Sequence, residues 1–181
     1  MLQGNKILLR ALELADAELL YQWENDTSLW HLSNTLTPFS KFTLEQYVMN
    51  AHQDIYTIKQ LRLMIDLSHD GVDKKTIGSI DLFDFDPGHR RAGIGILIHV
   101  DYRGKGYASE ALDLMIDYGF KTLKLHQIYC NIGVNNEESL QLFRKKNFKL
   151  TATKKEWNLT PKGWEDEYFL QLLKNQKPAK H

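Results

Sequence analysis

The chain is poor in several features, and each shortage excludes a class of protein. Cys130 is the only cysteine among 181 residues, so an intrachain disulfide or a thiolate metal cluster cannot form. The 23 basic and 23 acidic residues cancel, which argues against a nucleic-acid-binding domain with a basic face. No stretch reaches the roughly 18 apolar residues that a membrane helix needs, and Arg10 and Glu13 interrupt the one apolar run near the start, where a signal peptide would lie. We therefore expect a cytoplasmic protein with no nucleic-acid or membrane partner.

The length predicts one domain with one sizeable core. Apolar patterning continues to residue 173, so we expect a single domain over residues 1–173. Residues 174–181 are polar and basic, and we expect them to be a disordered tail. No internal repeat or linker interrupts the chain.

Residue spacing predicts an alternating order of strands and helices. A strand at residues 6–12 precedes two helices, one beginning near Asp16 and one capped by Thr43 and ending near His52. Further strands are predicted at 61–67, from Thr76 to the turn at 86–88, at 92–100, at 128–134, and as a closing hairpin at 148–159 and 165–173, with helices beginning near residues 108 and 136. Phe83 and Phe85 break the alternation of the preceding residues, which predicts a bulge near Leu82.

The most informative segment is an apolar strand that leads into a glycine-rich loop and an amphipathic helix. Ile94, Ile96, Ile98 and Val100 share one face of the strand, and Arg103-Gly104-Lys105-Gly106-Tyr107-Ala108 follows. Free backbone amides and the positive end of the helix dipole make such a loop a site for a diphosphate. The spacing fits neither a nucleotide P-loop nor a dinucleotide fingerprint. An ordinary strand-to-helix turn is the alternative interpretation.

The pattern Arg103-x-x-Gly106-x-Ala108 resembles the acyl-CoA signature of the GNAT family of N-acetyltransferases. The predicted order of elements is similar to that family from residue 6 to residue 173, and Asn136-x-x-Ser139 adds to the similarity. The resemblance is strongest to bacterial spermidine acetyltransferases and to enzymes that acetylate ribosomal-protein N-termini. It implies an α+β fold of three layers, whose mixed central sheet splays between the fourth and fifth predicted strands. It also implies acetyl-CoA as cosubstrate, an amine acceptor, no metal, and a homodimer or larger homo-oligomer.

The resemblance also implies which residues contact the cosubstrate. The backbone of Ile96, Leu97 and Ile98 would pair with the acetyl-pantetheine arm, and a main-chain N–H at Leu97 would polarise the thioester carbonyl. The diphosphate would be held by Arg103, Gly104, Lys105, Gly106, Tyr107, Ala108 and Ser109, and the pantetheine would be flanked by Asn136, Ser139, Phe143 and Lys145.

Two departures from the relatives concern catalysis. Spermidine acetyltransferases have a tyrosine, the acid that protonates the leaving thiolate, where this chain has Phe143. The resemblance to N-terminal acetyltransferases makes Ser139 the replacement, whereas a hydroxyl that only bonds the local backbone is the alternative. Relatives often have glutamate at the position of Gly93, which leaves Asp81 and Asp84 as the acids that could attract the amine or take its proton. Acids on the outer face of a strand are also often simply solvated.

The sequence gives the least information about the acceptor. Trp30 and His31 are candidates for the mouth of the acceptor site, together with Asp84. Polyamine enzymes place adjacent glutamates in this loop, and here no carboxylate follows until Glu45, which weakens the case for spermidine because each ammonium needs a paired charge. Three functions stay open: an amine acetyltransferase, an acetyl-CoA-binding sensor without turnover, and, least favoured, a structural subunit that has kept only the fold.

Overall fold

The computed structural model describes residues 1–27, 30, 35–51, 53–68 and 75–174. These residues form one mixed sheet of eight strands in the order β1-β2-β3-β4-β5-β6-β8-β7, with helices on both faces. The strands are β1 Leu2–Gln3, β2 Ile7–Ala11, β3 Leu61–Leu67, β4 Thr76–Asp86, β5 Arg91–Ile98, β6 Gln127–Gly133, β7 Lys149–Thr160 and β8 Gly163–Leu173. The helices are α1 Ala17–Glu24, α2 Lys41–Asn50, α3 Ile55–Ile58, α4 Tyr107–Lys121 and α5 Glu137–Lys145.

Two hydrophobic cores lie on opposite faces of the sheet. The larger core joins the sheet to α4 and α5 through fully buried side chains such as Ile80, Leu112 and Met115. The smaller core packs α1 and α2 on the other face, with Trp23 and Met64 at its centre. This arrangement confirms the predicted three-layer α+β fold.

The sequence pattern explains why α4 lies against β6. Ala111, Leu112, Met115 and Gly119 form the buried stripe of α4, as the spacing predicts. A Cβ at Gly119 would lie 3.1 Å from Ile128 Cδ1 on β6, so the glycine permits the close approach of helix and strand. The glycine loop at the start of α4 is thereby held at one end of the sheet.

The observed elements correct the predicted ones in detail. Val100 is not on the buried strand face: β5 ends at Ile98, and Val100 is 64% exposed in a 3-10 turn. The cap of α2 is Ser40, whose side chain accepts the Thr43 N–H, and not Thr43 itself. Strand β1 and helix α3 were not predicted, because each is too short to show a period.

The irregularity predicted near Leu82 lies slightly further along β4. The register between β4 and β5 shifts between Phe83 and Asp86, and Asp84 has a φ of 48°. The extra residue turns Leu82 and Phe85 into the same core. It leaves the side chain of Asp84 exposed.

At the other end of the chain, Lys174 was predicted to begin the tail, but its backbone N–H donates to His126 O at 3.0 Å. The rest of the predicted tail, residues 175–181, lies outside the described residues.

Candidate active site

The sheet opens between its two parallel strands. β5 and β6 pair only at Arg91–Gln127, Ala92–Ile128 and Gly93–Tyr129. Beyond that point β5 stays paired with β4 as far as Ile98, whereas β6 stays paired with β8 as far as Gly133. The residues of β5 after Gly93 thus have a strand on one side only, among the described residues, and the predicted splay is confirmed.

The glycine loop lies beyond the end of β5, at the open end of this gap. Gly104 and Gly106 have φ values of 73° and 87°, a left-handed conformation that glycine adopts without strain. A Cβ at Gly104 would meet no atom within 4 Å, so the loop is open to a ligand. Gly106 caps α4 without any side-chain acceptor from the described residues, and the first amides of α4, from Tyr107 to Ser109, are therefore available to an anion.

Basic side chains surround this loop. Lys105 Nζ donates to Asp101 O at 2.8 Å, and Arg103 Nε donates to Ile98 O at 3.0 Å, which fixes both stems beside the glycines. Lys6 was not singled out in the sequence, yet its Nζ donates to Lys105 O at 3.5 Å and lies 3.9 Å from where a Cβ at Gly106 would be. The loop therefore combines free amides with positive charge.

The three predicted arm-contacting residues of β5 turn their side chains away from the gap. Ile96 and Ile98 pack into the core under α4, and Leu97 packs on the opposite face against the core of α1 and α2. Side-chain packing and backbone availability are compatible here, because only main-chain groups point along the plane of the sheet.

Helix α5 carries the predicted residues that follow β6. Asn136 caps the helix, and its Oδ1 accepts the Ser139 N–H at 3.1 Å. No hydrogen bond of the described residues involves the Ser139 hydroxyl. Phe143, one turn further along the same helix face, is 4% exposed and packs edge-on against Phe148. Lys145 is exposed at the end of the helix.

Asp84 and Tyr129 meet on the face of the sheet that carries α1 and α2. The Tyr129 hydroxyl donates to Asp84 Oδ2 at 3.1 Å. Burial, together with the charge of Asp84, raises the pKa of Tyr129 to about 12, so this phenol stays protonated and keeps donating. Among the described residues, no basic side chain forms an ion pair with Asp84.

Asp81 is in a different environment from Asp84. Arg62 Nε donates to Asp81 Oδ1 at 2.6 Å, and Arg62 also pairs with Glu24 at 2.8 Å. Burial raises the pKa of Asp81, and the charge and hydrogen bond of Arg62 oppose that shift. The structure therefore does not bring the two predicted acids into one group.

A cleft of about 550 Å³ adjoins Asp84 and the point where β5 and β6 separate. The rings of Tyr129 and Phe169 form part of its wall, with centroids 5.2 Å apart. Its other charged residues are already paired. Arg91 contacts Asp86 at 3.1 Å, and Lys154 Nζ contacts Glu167 Oε2 at 2.8 Å and Asn131 Oδ1 at 2.9 Å.

A neighbour on the adjacent strand leaves no space for a side chain at Gly93. A Cβ at Gly93 would lie 2.2 Å from Phe83 Cε2, so a side chain there requires the ring of Phe83 to move. A side chain at position 93, such as a glutamate, is therefore incompatible with Phe83 in its present position. The sequence indicates no site role for Phe83 or Lys154, because the residues that each one faces depend on strand register.

Of the two residues predicted at the mouth of the acceptor site, the structure describes Trp30. The Trp30 indole Nε1 donates to Glu24 O at 2.9 Å, which fastens this half-buried ring to the end of α1. His31 lies outside the described residues. The described part of the chain contains no group of His, Cys, Asp and Glu side chains suited to a metal ion, and none of its helices is long and apolar enough to cross a membrane.

The splayed sheet, the glycine loop and the helix start define an acetyltransferase of the GNAT type, and comparison with known proteins agrees. The profile of the acetyltransferase (GNAT) domain matches residues 6–149. The chain belongs to this family, and its donor is therefore acetyl-CoA.

Individual relatives support the same assignment. A probable N-acetyltransferase of Bacillus subtilis, YjcK, is 30% identical over 96% of this chain and 97% of its own length. The spermidine N(1)-acetyltransferase of Escherichia coli K12 is 28% identical over 82% of this chain and 75% of its own length. The fold is similar to that of the crystal structure of spermidine N-acetyltransferase from Vibrio cholerae in complex with CoA and spermine, with a TM-score of 0.84 and 24% identity over 94% and 96% of the two chains.

Proposed function

We propose that this protein transfers the acetyl group of acetyl-CoA to a primary amine, either a small polyamine-like molecule or a protein N-terminus. One observation carries the proposal. The gap between β5 and β6 runs from an anion-binding loop at one end to a carboxylate, Asp84, at the other. A donor with a diphosphate and an acceptor with an ammonium would then approach each other along one line.

The residues at the donor end fit a diphosphate. The open space at Gly104 and the uncapped start of α4 supply amide donors, and Lys105, Arg103 and Lys6 add positive charge. On the unpaired edge of β5, Ile96 and the N–H of Ile98 offer main-chain groups to the amides of the pantetheine arm, whereas Ile98 O already accepts from Arg103. The main-chain N–H of Leu97 is the predicted donor to the thioester carbonyl, although it lies on the same side of β5 as the His99 N–H, which donates to Ile77 O on β4. Asn136, Phe143 and Lys145 are predicted to flank the arm.

At the acceptor end, Asp84 is the residue that we assign to the amine. Its exposed carboxylate accepts a hydrogen bond from Tyr129 and keeps room for an ammonium. The amine must lose a proton before it attacks the carbonyl carbon, and Asp84 or a water bound to it would take that proton. Asp81 is already committed to Arg62, so its catalytic role stays a prediction, as do the roles of Trp30 and His31 at the mouth of the site.

Ser139 is the residue that we assign to the leaving group. When the new N–C bond forms and the C–S bond breaks, the sulfur leaves with the bonding electrons and needs a proton. The Ser139 hydroxyl makes no hydrogen bond to the described residues, and the Ser139 N–H is the group that bonds locally, to Asn136 Oδ1. This arrangement favours a role at the sulfur over a local structural bond. Phe143 cannot supply a proton.

An acceptor screen tests the proposal. The protein is incubated with acetyl-CoA and with spermidine, spermine, simple amines and short peptides, and products are identified by mass spectrometry. Acetylated amine together with thiol release above the rate of hydrolysis is expected. Tight binding of acetyl-CoA with no acetylated product from any amine would instead indicate a sensor.

Two further features complete the proposal. By resemblance to the family, we propose a homodimer or larger homo-oligomer and a cytoplasmic location. Size-exclusion chromatography with light scattering measures the first, and fractionation of cells that express the protein at native level measures the second.

A further inference from the structure

The charges that line the cleft next to Asp84 describe the acceptor more closely. Of its acidic residues, Asp86 is paired with Arg91, and Asp84 has no basic partner among the described residues. The cleft therefore offers one free negative charge, beside the point where β5 and β6 separate.

The opposite wall of the cleft carries the ammonium of Lys154, whose partner Glu167 is not among the residues that line the cleft. Lys154 Nζ lies 5.9 Å from the centroid of Phe169, and Phe169 lies 5.2 Å from Tyr129, whose hydroxyl touches Asp84. An acceptor with its amine at Asp84 and its carbon chain over the two rings would thus extend toward the ammonium of Lys154.

Lys154 is held in this position by several contacts. Glu167 and Asn131 accept from its Nζ at 2.8 and 2.9 Å, and the ring of Trp157 lies 4.8 Å from the nitrogen. Glu167 is itself 8% exposed and accepts from Asn158 at 3.2 Å, so its carboxylate is turned to these partners and is not free for a ligand. The group that Lys154 and Glu167 present to the cleft is therefore an ammonium.

From this arrangement we infer that the acceptor carries a single ammonium, at its reacting end, and that Lys154 is a specificity-determining residue that selects against a second ammonium. The inference rests on the proposed function for the location of the acceptor. A diamine would place its second charge against Lys154 with no free carboxylate to receive it, whereas the uncharged chain of a monoamine meets aromatic surface. Spermidine is accordingly a poor acceptor for this chain. Of the acceptors in the proposed function, the inference therefore favours a monoamine or a protein N-terminus over a polyamine-like molecule.

Pentylamine and cadaverine have the same carbon chain and differ by one ammonium, so they test this inference. We expect kcat/KM for pentylamine to exceed that for cadaverine by about tenfold, the scale of one unfavourable charge contact. Lys154→Met reduces this ratio by about fivefold or more, on the same scale. Lys155→Met is the matched control: Lys155 is the next residue of β7, pairs with Asp166 and does not line the cleft, so the ratio stays unchanged.

A second variant protects the test against misfolding. Lys154→Met leaves Glu167 without its cation, so the double variant Lys154→Met/Glu167→Gln, which removes both charges, is measured as well and shifts the ratio in the same direction. A preference of the wild-type protein for cadaverine or spermidine, or a ratio that neither variant moves, overturns the inference.

Equilibrium binding separates this inference from the proposed function. Isothermal titration of the CoA-loaded protein with the two amines reports selectivity without turnover. Preferential binding of pentylamine with no acetylated product contradicts the proposed function and supports the charge selection. Acetylation of both amines with equal binding contradicts the charge selection and supports the proposed function. Binding of neither amine contradicts the charge selection, whereas the proposed function is then decided by the wider acceptor screen.

Discussion

Phe83 fills the space that a side chain at Gly93 would need. The two residues face each other across β4 and β5, and the ring edge lies 2.2 Å from the Cβ position. The absence of a base at Gly93 is thus coupled to the presence of Phe83, and the two positions would have to change together for a glutamate to fit.

This contact predicts the cost of a side chain at position 93. Gly93→Ala should lower the free energy of unfolding by about 1–3 kcal/mol, since the ring must shift in a packed environment. In a Phe83→Ala background the same substitution should cost less, and urea unfolding of the four proteins measures the coupling. Gly95→Ala is the control, because a Cβ there comes no closer than 3.8 Å to Phe83. Additive effects of the two substitutions would contradict the contact.

The role of Ser139 predicts a change in rate and not in affinity. Ser139→Ala should lower kcat by about 100-fold, as expected for loss of a general acid, while the Kd of acetyl-CoA changes little. Stopped-flow thiol release and isothermal titration measure the two quantities. Gln141→Ala, on the exposed side of the same helix, is the control and should leave both unchanged. Full activity in Ser139→Ala would exclude the role.

The glycine loop predicts a loss of donor affinity. Gly106→Glu places a negative charge where an anion is proposed to bind, and it forces a residue with a side chain into a left-handed backbone conformation. The Kd of CoA should therefore rise by about tenfold or more. Gly163→Glu provides the comparison, because Gly163 has a φ of 110° in open space at the turn between β7 and β8 and is not part of the loop. It imposes similar backbone strain and should not alter the Kd. An unchanged Kd in Gly106→Glu would count against the loop.

Tyr129 predicts a change of stability in alkali. Its pKa is raised from 10.0 to about 12 in the folded protein, so the folded state holds the proton more tightly than the unfolded chain does. The contribution to stability is complete below pH 10.0 and is lost as the pH rises toward about 12. Tyr129→Phe lacks this contribution. Its free energy of unfolding, measured by chemical denaturation, should therefore fall less than that of the wild-type protein between about pH 9 and about pH 11. Parallel curves for the two proteins would contradict the raised pKa of Tyr129.

The burial of Cys130 predicts that thiol reagents can be used in the activity assay without labelling the native protein. Its side chain is 1% exposed, and burial raises the pKa of the thiol above its usual range. The native protein should therefore react slowly with a disulfide reagent, and one thiol per chain should appear in denaturant. Rapid labelling of the native protein, detected by absorbance, would contradict this placement.

The sequence predicts features that depend on neighbouring residues, but not features that depend on which residues of adjacent strands face each other. The glycine loop, the stripe of α4 and the alternation of β6 follow from neighbouring residues, so their positions were predicted closely. The Arg62–Asp81 pair and the Phe83–Gly93 contact join residues on adjacent strands, and alternation alone does not fix which residues face each other. Lys154 depends further on the irregular pairing of β7 between Lys154 and Asn158.

The same distinction applies to catalysis. The sequence predicts both Asp84 and Asp81 as acids of the site. Only Asp81 is paired with Arg62 on β3, and no motif indicates that pair. The catalytic roles of Ser139, Asp84, Asp81 and Leu97 stay predictions, and the Ser139→Ala variant tests the first of them.

The short pairing of β5 with β6 also has a consequence for the protein without its donor. Half of an inner strand exposes peptide groups to water along a seam in the middle of the sheet, and the pantetheine arm would act as a missing strand that closes it. Cellular supply of acetyl-CoA would then set the rigidity of the molecule as well as its rate, since a ligand that binds only the folded state raises its resistance to heat and to proteolysis.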